Sequence, residues 1–357
     1  MGEAFINRIG IAVPAHDIHR DFTAYAAGRL EPRAAALFAR MAGRAGIGHR
    51  HSVLAPGALA EGGADAQEFY RPGAFPDTAA RMAMFEREAA PLALRAVADA
   101  AIDPAAITHL IVASCTGFAA PGLDLHLAAG LGLRADIQRT LVGFMGCSAA
   151  VPALRLARQT VLAEPGSVVL VVNLELCTLH LQETADLETA LTFLLFGDGC
   201  AAAVVSGEAR GLALHGFRSA TIPDTAGLIT WRIGARGFLM HLAGAVPAAI
   251  AAALRAAREG RDAAGLLRGD AIGAIGDWAV HAGGRSVLDA VEAGLGLPGE
   301  ALAASRAVLE DHGNMSSATV MFVLRRLLDA GGPAGRGGMA MAFGPGMVAE
   351  TFRFSRV

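Results

Sequence analysis

The chain lacks the features that mark several classes of protein. Its four cysteines, Cys115, Cys147, Cys177 and Cys200, lie far apart without Cys-x-x-Cys spacing. That pattern indicates neither a zinc site nor a disulfide framework, so we expect reduced thiols. No apolar run approaches the ~20 residues needed to span a bilayer, and the N-terminus has no signal-peptide pattern. We therefore expect a cytoplasmic protein without a membrane span.

The chain also lacks a large excess of positive or negative charge. The formal net charge is -3, and the arginines occur singly or in pairs rather than in long runs. Without a basic field to attract phosphates, a nucleic-acid partner is not expected. Hydrophobic residues make up 54% of the 357 residues and charged residues only 18%. This composition predicts a globular protein with an extensive core, organised as two domains or as one duplicated body.

Helix and strand patterns alternate along most of the chain and predict an α/β fold. Residues 1–85 look like irregular decoration with a single helix at 34–43. The pattern then predicts helices at 86–101, 123–131, 148–163, 184–195, 247–260, after Gly284 and at 315–329, and strands at 108–114, 140–144, 167–172, 200–205, near 211, at 271–280 and on both sides of 344–346. Because the element order is similar in 1–210 and 211–357, we interpret these as two related halves.

Cys147 follows an apolar, strand-like run that breaks at Gly143 and Gly146, and a helix-forming stretch begins directly after it. Unpaired N–H groups and the positive end of a helix dipole favour a thiolate at such a position. We therefore expect a nucleophilic thiol whose pKa lies below the usual value of about 8.5.

Two further polar residues stand at element junctions. His281 ends an apolar strand before Ala282-Gly283-Gly284, which suits a general base in a cleft, although a packed core histidine is the alternative. Asn314 precedes a helix, where an N-cap is its alternative role. A Cys–His–Asn set serves proteolysis, thioester hydrolysis or carbon–carbon bond formation, and the three residues alone leave these reactions open.

Five segments together resemble the type III polyketide synthases, the chalcone and stilbene synthase superfamily, in that family's order and over nearly the whole chain. They are Val142-Gly-Phe-Met-Gly-Cys-Ser-Ala149, Leu195-Phe-Gly-Asp-Gly199, Trp278-Ala-Val-His-Ala-Gly-Gly284, Gly313-Asn-Met-Ser-Ser-Ala318 and Phe343-Gly-Pro-Gly346. The resemblance implies a thiolase-like, five-layered αβαβα fold built from two related halves. It also implies a homodimer and chemistry that needs no metal and no redox cofactor.

The resemblance further implies a reaction. Cys147 would take an acyl group from an acyl-CoA starter and condense it with units from malonyl-CoA. His281 would help to form the thiolate, and His281 with Asn314 would hydrogen-bond the thioester oxygen that becomes negative as carbon dioxide leaves. A neutral amide suits that task because a carboxylate would repel the developing enolate.

A substrate pocket is implied as well. Phe196 resembles one aromatic gatekeeper between a CoA tunnel and the cavity, and Met240 stands where plant enzymes carry the second, a phenylalanine. Trp231 falls near a glycine of the plant enzymes and is expected to fill one wall. The remaining pocket residues are Cys115 and Ser316, with Cys177 and His180 in place of threonines, and Ala120 in place of a methionine that reaches across the dimer interface.

The segment from Trp231 to Met240 is similar to bacterial members that accept fatty acyl starters and make alkylpyrones or alkylresorcinols. Arg40 and Arg44 match the family's basic helix at the tunnel mouth and are expected to bind CoA phosphates from one helical face, although solvated surface arginines are the alternative.

Three other functions stay open. They are a ketoacyl-acyl carrier protein synthase of the initiating type, a cysteine thioesterase acting on acyl-CoA, and a catalytically silent acyl-CoA-binding homologue.

Overall fold

The computed structural model of the protein describes residues 2–57, 64–262, 265–267 and 269–357. The helices are α1 (His19–Arg29), α2 (Pro32–Ala42), α3 (Thr78–Ala100), α4 (Leu123–Leu131), α5 (Ala150–Ala163), α6 (Leu187–Leu195), α7 (Val246–Arg258), α8 (Arg285–Leu295), α9 (Ala303–His312) and α10 (Thr319–Ala330). The strands are β1 (Phe5–Ala12), β2 (His16–Asp17), β3 (His51–Ser52), β4 (His109–Ser114), β5 (Gln138–Gly143), β6 (Val168–Leu176), β7 (Asp198–Ser206), β8 (Leu212–Thr221), β9 (Ile229–Gly234), β10 (Gly237–Leu242), β11 (Asp277–Val280), β12 (Gly337–Gly344) and β13 (Val348–Arg356). Within the described ranges, no helix is both long enough and apolar enough to cross a membrane.

Nine of these strands form one sheet in the order β11-β12-β13-β8-β1-β7-β6-β4-β5. The two halves of this sheet meet where β1 pairs with β8, and this pairing consists of only two residue pairs, Phe5 with Ala213 and Ile6 with Leu212. Outward from that junction, both halves run through antiparallel neighbours first and parallel strands last. The two halves of the sheet therefore have the same strand pattern, with β5 as an extra outer strand in the first.

Side-chain alternation along the strands builds the layers. In β6, Val169 and Val171 face a core that also contains α5 and α10, while Leu170 and Val172 face a second core formed with α3 and α4. Strand β12 alternates in the same way between the α5–α10 core and a third core formed with α7 and α8. Because successive side chains point to opposite faces, each sheet half is covered by helices on both sides. The α/β class and the thiolase-like layering are confirmed.

The prediction that residues 1–85 are irregular decoration is wrong. Strand β1 lies at the centre of the sheet between β7 and β8, and α3 begins well before residue 86. The polar residues Asn7 and Arg8 interrupt the apolar pattern of β1, so the sequence did not indicate a strand here. Asn7 is nevertheless buried because its amide donates to the backbone oxygens of Glu208 and Arg210, groups that are remote in the sequence. Residues 58–63 of this section lie outside the described residues.

Several boundaries in the second half also differ from the prediction. The strand before His281 covers only Asp277–Val280, because Ile272–Ala274 form a short 3-10 turn. The helix predicted from Met315 begins at Thr319, after another such turn. Helix α9 and the β9–β10 hairpin were not predicted. The hairpin pairs with no strand of the main sheet among the described residues, and it carries Trp231 opposite Met240.

Substitution of Gly10 tests the close packing of β1 against α3, and substitution of Gly28 is the control. A Cβ at Gly10 would collide with the carbonyl oxygen of Ala96 and the backbone nitrogen of Ala100, whereas nothing lies within 4 Å of a Cβ at Gly28 in α1. Gly10→Ala should lower the free energy of unfolding by about 1–3 kcal/mol, since backbone atoms cannot move aside easily. Gly28→Ala should raise it by about 0.5–1 kcal/mol. Urea unfolding followed by circular dichroism measures both, and equal stability of the two variants would contradict the packing.

Candidate active site

Cys147 lies where the chain leaves β5 and turns into α5. Phe144 and Gly146 both have positive φ angles, 55° and 59°, and the thiol sits in the short turn Gly146–Ser148. A side chain at Gly146 would also collide with the ring of Pro345. Glycine is therefore required twice at this position, by the backbone conformation and by the close approach of the proline.

The Cys147 thiol is only 9% exposed. Burial raises its pKa to about 11, and the charge of Glu175 acts in the same direction, while hydrogen bonds with Ser316 and Asn314 oppose the rise. This direction is the opposite of the one predicted from the helix start. Desolvation of the charged form outweighs the local dipole, so the resting site holds a neutral thiol.

His281 follows β11 directly, and its backbone N–H donates to the oxygen of Met341 at 2.8 Å. Its side chain is buried, and neither ring nitrogen has a hydrogen-bond partner within the described part of the chain. Burial lowers the pKa of the imidazole to about 4. The ring is therefore neutral at pH 7, with one nitrogen able to accept a proton and the other able to donate.

Asn314 is held by both its backbone and its side chain. Its N–H donates to the oxygen of Leu195 at 2.8 Å, and its carbonyl accepts from Gly197 N at 3.0 Å. The side-chain Oδ1 accepts from Ser316 N at 2.8 Å, and Nδ2 donates to the oxygen of Gly283 at 3.2 Å. Because Oδ1 is occupied by a backbone donor, the amide N–H group is the part that faces the site.

The structure brings these three residues together at the boundary between the sheet halves. Asn314 lies close enough to Cys147 to lower the pKa of its thiol, and Asn314 Nδ2 donates to the oxygen of Gly283. A Cβ at Gly283 would lie 3.4 Å from His281 Nε2, so the imidazole borders the same glycine. The thiol, the amide donor and the neutral imidazole are thus linked in sequence through Asn314 and Gly283, and these are the three kinds of group that acyl transfer uses.

An apolar cavity of about 30 Å³ adjoins the thiol. Six residues predicted for the pocket line it with Cys147, namely Cys115, Cys177, Phe196, Trp231, Met240 and Ser316. The sequence interpretation missed the lining residues Thr116, Phe193, Ile229 and Pro345. Of these, only Pro345 stood in a motif that the sequence had singled out.

His180 lies behind the cavity wall and does not line it. Its Nε2 donates to the oxygen of Thr116 at 2.7 Å, its Nδ1 accepts from Phe238 N at 3.0 Å, and its ring stacks on Phe238 with centroids 4.2 Å apart. The Trp231 indole N–H donates to the oxygen of Cys115 at 2.7 Å. These bonds join the loop after β4 to the β9–β10 hairpin.

Ala120 is exposed and does not line the cavity.

A buried carboxylate stands beside the cavity. Glu175 accepts hydrogen bonds from Ser317 Oγ at 2.5 Å, Thr116 Oγ1 at 2.8 Å and Cys115 N at 3.0 Å. Burial raises its pKa, and these donors partly offset that effect. Among the described residues, no group of histidines, cysteines or carboxylates could hold a metal ion.

The two arginines predicted to bind CoA do not share a helical face. Helix α2 ends at Ala42, so Arg44 lies in the turn beyond it while Arg40 is in the last helical turn. Both side chains are exposed. The carbonyl of Arg44 accepts from Arg285 Nη1 at 3.1 Å, which places this turn beside the start of α8.

Comparisons with known proteins agree along the chain. The family model for the N-terminal domain of chalcone and stilbene synthases matches residues 1–209, and that for the C-terminal domain matches 214–357. A 1,3,6,8-tetrahydroxynaphthalene synthase of Streptomyces peucetius subsp. caesius is 37% identical over 267 residues, 72% of this chain and 70% of the relative. The alpha-pyrone synthesis polyketide synthase-like Pks18 of Mycobacterium tuberculosis is 34% identical over 288 residues, 77% of this chain and 72% of the relative. The solved structure of the tetrahydroxynaphthalene synthase of Streptomyces coelicolor A3(2), described as a bacterial type III polyketide synthase, gives a TM-score of 0.85 at 30% identity, covering 100% of this chain and 99% of that one.

The neutral state of His281 predicts a pH effect on stability. Its folded pKa of about 4 lies below the ordinary value of 6.5 for histidine, so between these values the unfolded chain binds the extra proton and stability falls as pH falls. His281→Asn removes this contribution, and its free energy of unfolding should fall less steeply than that of the wild type, by up to about 1.4 kcal/mol per pH unit. Urea titrations at pH 6.5, 5.5 and 4.5 measure the difference. A steeper fall in the variant would instead indicate an imidazolium paired with a thiolate.

Proposed function

Because the chain belongs to the chalcone and stilbene synthase family, we propose that it loads an acyl-CoA starter onto Cys147 and extends it with malonyl-CoA. One observation carries this proposal. The Asn314 amide lowers the pKa of the Cys147 thiol and is bonded to Gly283 beside a neutral His281 whose ring nitrogens have no partner among the described residues, and the thiol opens onto an apolar cavity. The group is equipped for acyl transfer and has two donors for an oxyanion, the Asn314 amide and the His281 ring.

Loading begins with the neutral thiol. As Cys147 Sγ attacks the thioester carbonyl, His281 accepts the thiol proton. The bond from the carbonyl carbon to the CoA sulfur breaks, and the leaving sulfur takes the proton from His281. Because burial disfavours both the free thiolate and the free imidazolium, the charge separation is confined to the reaction itself.

Extension uses the same two polar groups. Malonyl-CoA loses carbon dioxide, and the electron pair of the broken bond becomes an enolate on the remaining thioester. Asn314 Nδ2 and the N–H of His281 donate to the enolate oxygen, each contributing about 10²-fold in rate. The enolate carbon then attacks the acyl carbonyl on Cys147, and the cysteine sulfur leaves as a thiolate. The extended chain is now a CoA thioester, and the cysteine sulfur attacks it with release of CoA before the next extension. The fixed orientation of the Asn314 amide supports its role as a donor, since Ser316 N occupies Oδ1.

The starter that the cavity supports best is an aliphatic acyl group, with pyrone or resorcinol products. The lining is apolar, and Trp231 and Phe196 leave only about 30 Å³ beside the thiol. A narrow apolar space favours a linear, flexible chain over a wide aromatic ring, and Met240 presents a flexible thioether. The relative from Mycobacterium tuberculosis is named for alpha-pyrone synthesis, which agrees with this choice.

CoA phosphates are proposed to lie near Arg40 and Arg44. Both cations are exposed, and Arg44 is tied through its backbone to Arg285, which follows the His281 loop closely in sequence. A phosphate bound in this region would leave the pantetheine arm to reach the thiol past Phe196. The boundary between the two related halves is proposed at residues 210 and 211, between β7 and β8.

We also propose a homodimer formed on the β5 edge of the sheet. Strand β5 is mostly exposed, and Leu141 on it is 55% exposed. Phe118 and Met145 nearby are 43% and 36% exposed, and Ala120 lies on the same loop as Phe118. An open sheet edge beside large exposed apolar side chains is the kind of surface that another subunit covers.

Loss of the nucleophile gives the decisive test of the reaction. With malonyl-CoA and a panel of acyl-CoA starters, the wild type should release carbon dioxide and CoA and form polyketides detectable by mass spectrometry. Cys147→Ala should abolish condensation while keeping some decarboxylation, since His281 and Asn314 remain. Cys200→Ala, a buried cysteine on β7 outside the cavity lining, is the control and should stay active. Free fatty acid without elongated product would support a thioesterase, and full activity of Cys147→Ala would refute the nucleophile.

The dimer has its own test. Leu141→Asp places a charge on the proposed interface and should shift the protein from dimer to monomer in size-exclusion chromatography with light scattering. Met41→Asp changes a similarly exposed side chain on α2 and should leave the dimer intact. A monomeric wild type, or a dimeric Leu141→Asp, would exclude this surface as the interface.

A further inference from the structure

A second cavity, of about 40 Å³, lies directly against the first. The two share three lining residues, Cys177, Phe193 and Phe196. The far side of the second cavity is formed by residues from α1 and from the loops before and after β3, including Phe22 and Leu54. Only side chains at this shared wall separate the nucleophile's cavity from the second one.

The first cavity is too small for the proposed intermediates. A water molecule needs about 10–15 Å³ of such space, so the first cavity holds roughly two waters. The part of its wall that contains Trp231 is closed by the His180–Phe238 stack and by the Trp231 hydrogen bond to the loop after β4. A chain that grows on Cys147 needs further room, and the second cavity is the adjacent space.

One charged side chain in the second cavity has a free donor. Arg50 is 1% exposed, its Nε donates to His19 Nδ1 at 3.1 Å, and its Nη1 donates to the oxygens of Phe193 at 3.1 Å and Phe196 at 2.5 Å. Its Nη2 is buried without a hydrogen-bond partner among the described residues. A buried donor left without a hydrogen bond is energetically costly, so an acceptor is expected to meet it.

We infer that the second cavity receives the far end of the acyl chain held on Cys147, with an oxygen of a linear keto-acyl intermediate accepting a hydrogen bond from Arg50 Nη2. The aliphatic carbons pack against Phe22 and Leu54, and the chain passes between Cys177 and the two shared phenylalanines. Each malonyl extension leaves a ketone, which has acceptor capacity and no donor, and a guanidinium has donors only. This inference rests on the proposed function.

Variants that change the size of the second cavity test it. Ala64 is half-buried in the lining, so Ala64→Phe fills the space, and Leu181→Ala enlarges it. With malonyl-CoA and straight-chain starters from acetyl- to dodecanoyl-CoA, Ala64→Phe should lower kcat/KM about tenfold or more for the longer starters and spare acetyl-CoA. Leu181→Ala should shift the preference to longer starters. Ala66→Phe, exposed on the same loop, is the matched control and should keep the wild-type profile.

The outcomes separate this inference from the proposed function. No polyketide from the wild type with any starter would refute the function itself. An active wild type with an unchanged chain-length profile in folded Ala64→Phe and Leu181→Ala would overturn the inference and leave a cavity that holds water only. If a variant does not fold, a crystal structure of the wild type acylated on Cys147 from octanoyl-CoA decides. A chain in the second cavity supports the inference, and a chain directed past Trp231 or into solvent overturns it.

Discussion

The backbone pairing between Leu195–Gly197 and Asn314 is the constraint on which the site depends. These segments come from different halves of the chain, and two N–H to carbonyl bonds join them. The pairing places the gate side chain Phe196 next to the amide that faces the thiol. Gly313, with a φ of 66°, permits the approach, because a side chain there would collide with Arg50 and with the carbonyl of Leu195.

Arg50 supports the same segment from the other side. Its guanidinium binds the carbonyls of Phe193 and Phe196 and lies 4.7 Å from the ring centroid of Phe22. Its two hydrogen bonds to these carbonyl oxygens hold the gate segment in position. Arg50 and the pairing of Leu195–Gly197 with Asn314 therefore hold the wall between the two cavities. The same contacts fix the orientation of Asn314.

Burial then sets the chemical state of the site. It raises the pKa of Cys147 and lowers that of His281, so both groups rest uncharged in a space that excludes bulk water. An enolate formed there meets preorganised donors and few competing waters, which strengthens each hydrogen bond to it. The same exclusion of water favours condensation over hydrolysis of the acyl-cysteine. Glu175 stays behind the wall, where three donors hold it away from the developing negative charge.

Much of the fold could be predicted from local patterns. The continuous β-branched run of β6 and the motifs around Cys147, His281 and Asn314 all identified elements or junctions that the structure contains. Strand β1 could not be predicted, since the partners that satisfy Asn7 are far along the chain. The β9–β10 hairpin was not predicted either. Both of its faces carry apolar side chains, and only the folded structure shows which of them line the cavity and which face solvent.

The sequence by itself determined the residue types, their order and the family, since five motifs in register depend only on covalent order. Only the tertiary structure decided that Cys147 is a neutral thiol, that His180 supports a wall, and that a second cavity lies beyond Phe196. The physical reason is common to all three. Desolvation, stacking and enclosed volume arise from atoms that folding brings together, and these atoms are distant from one another in the sequence.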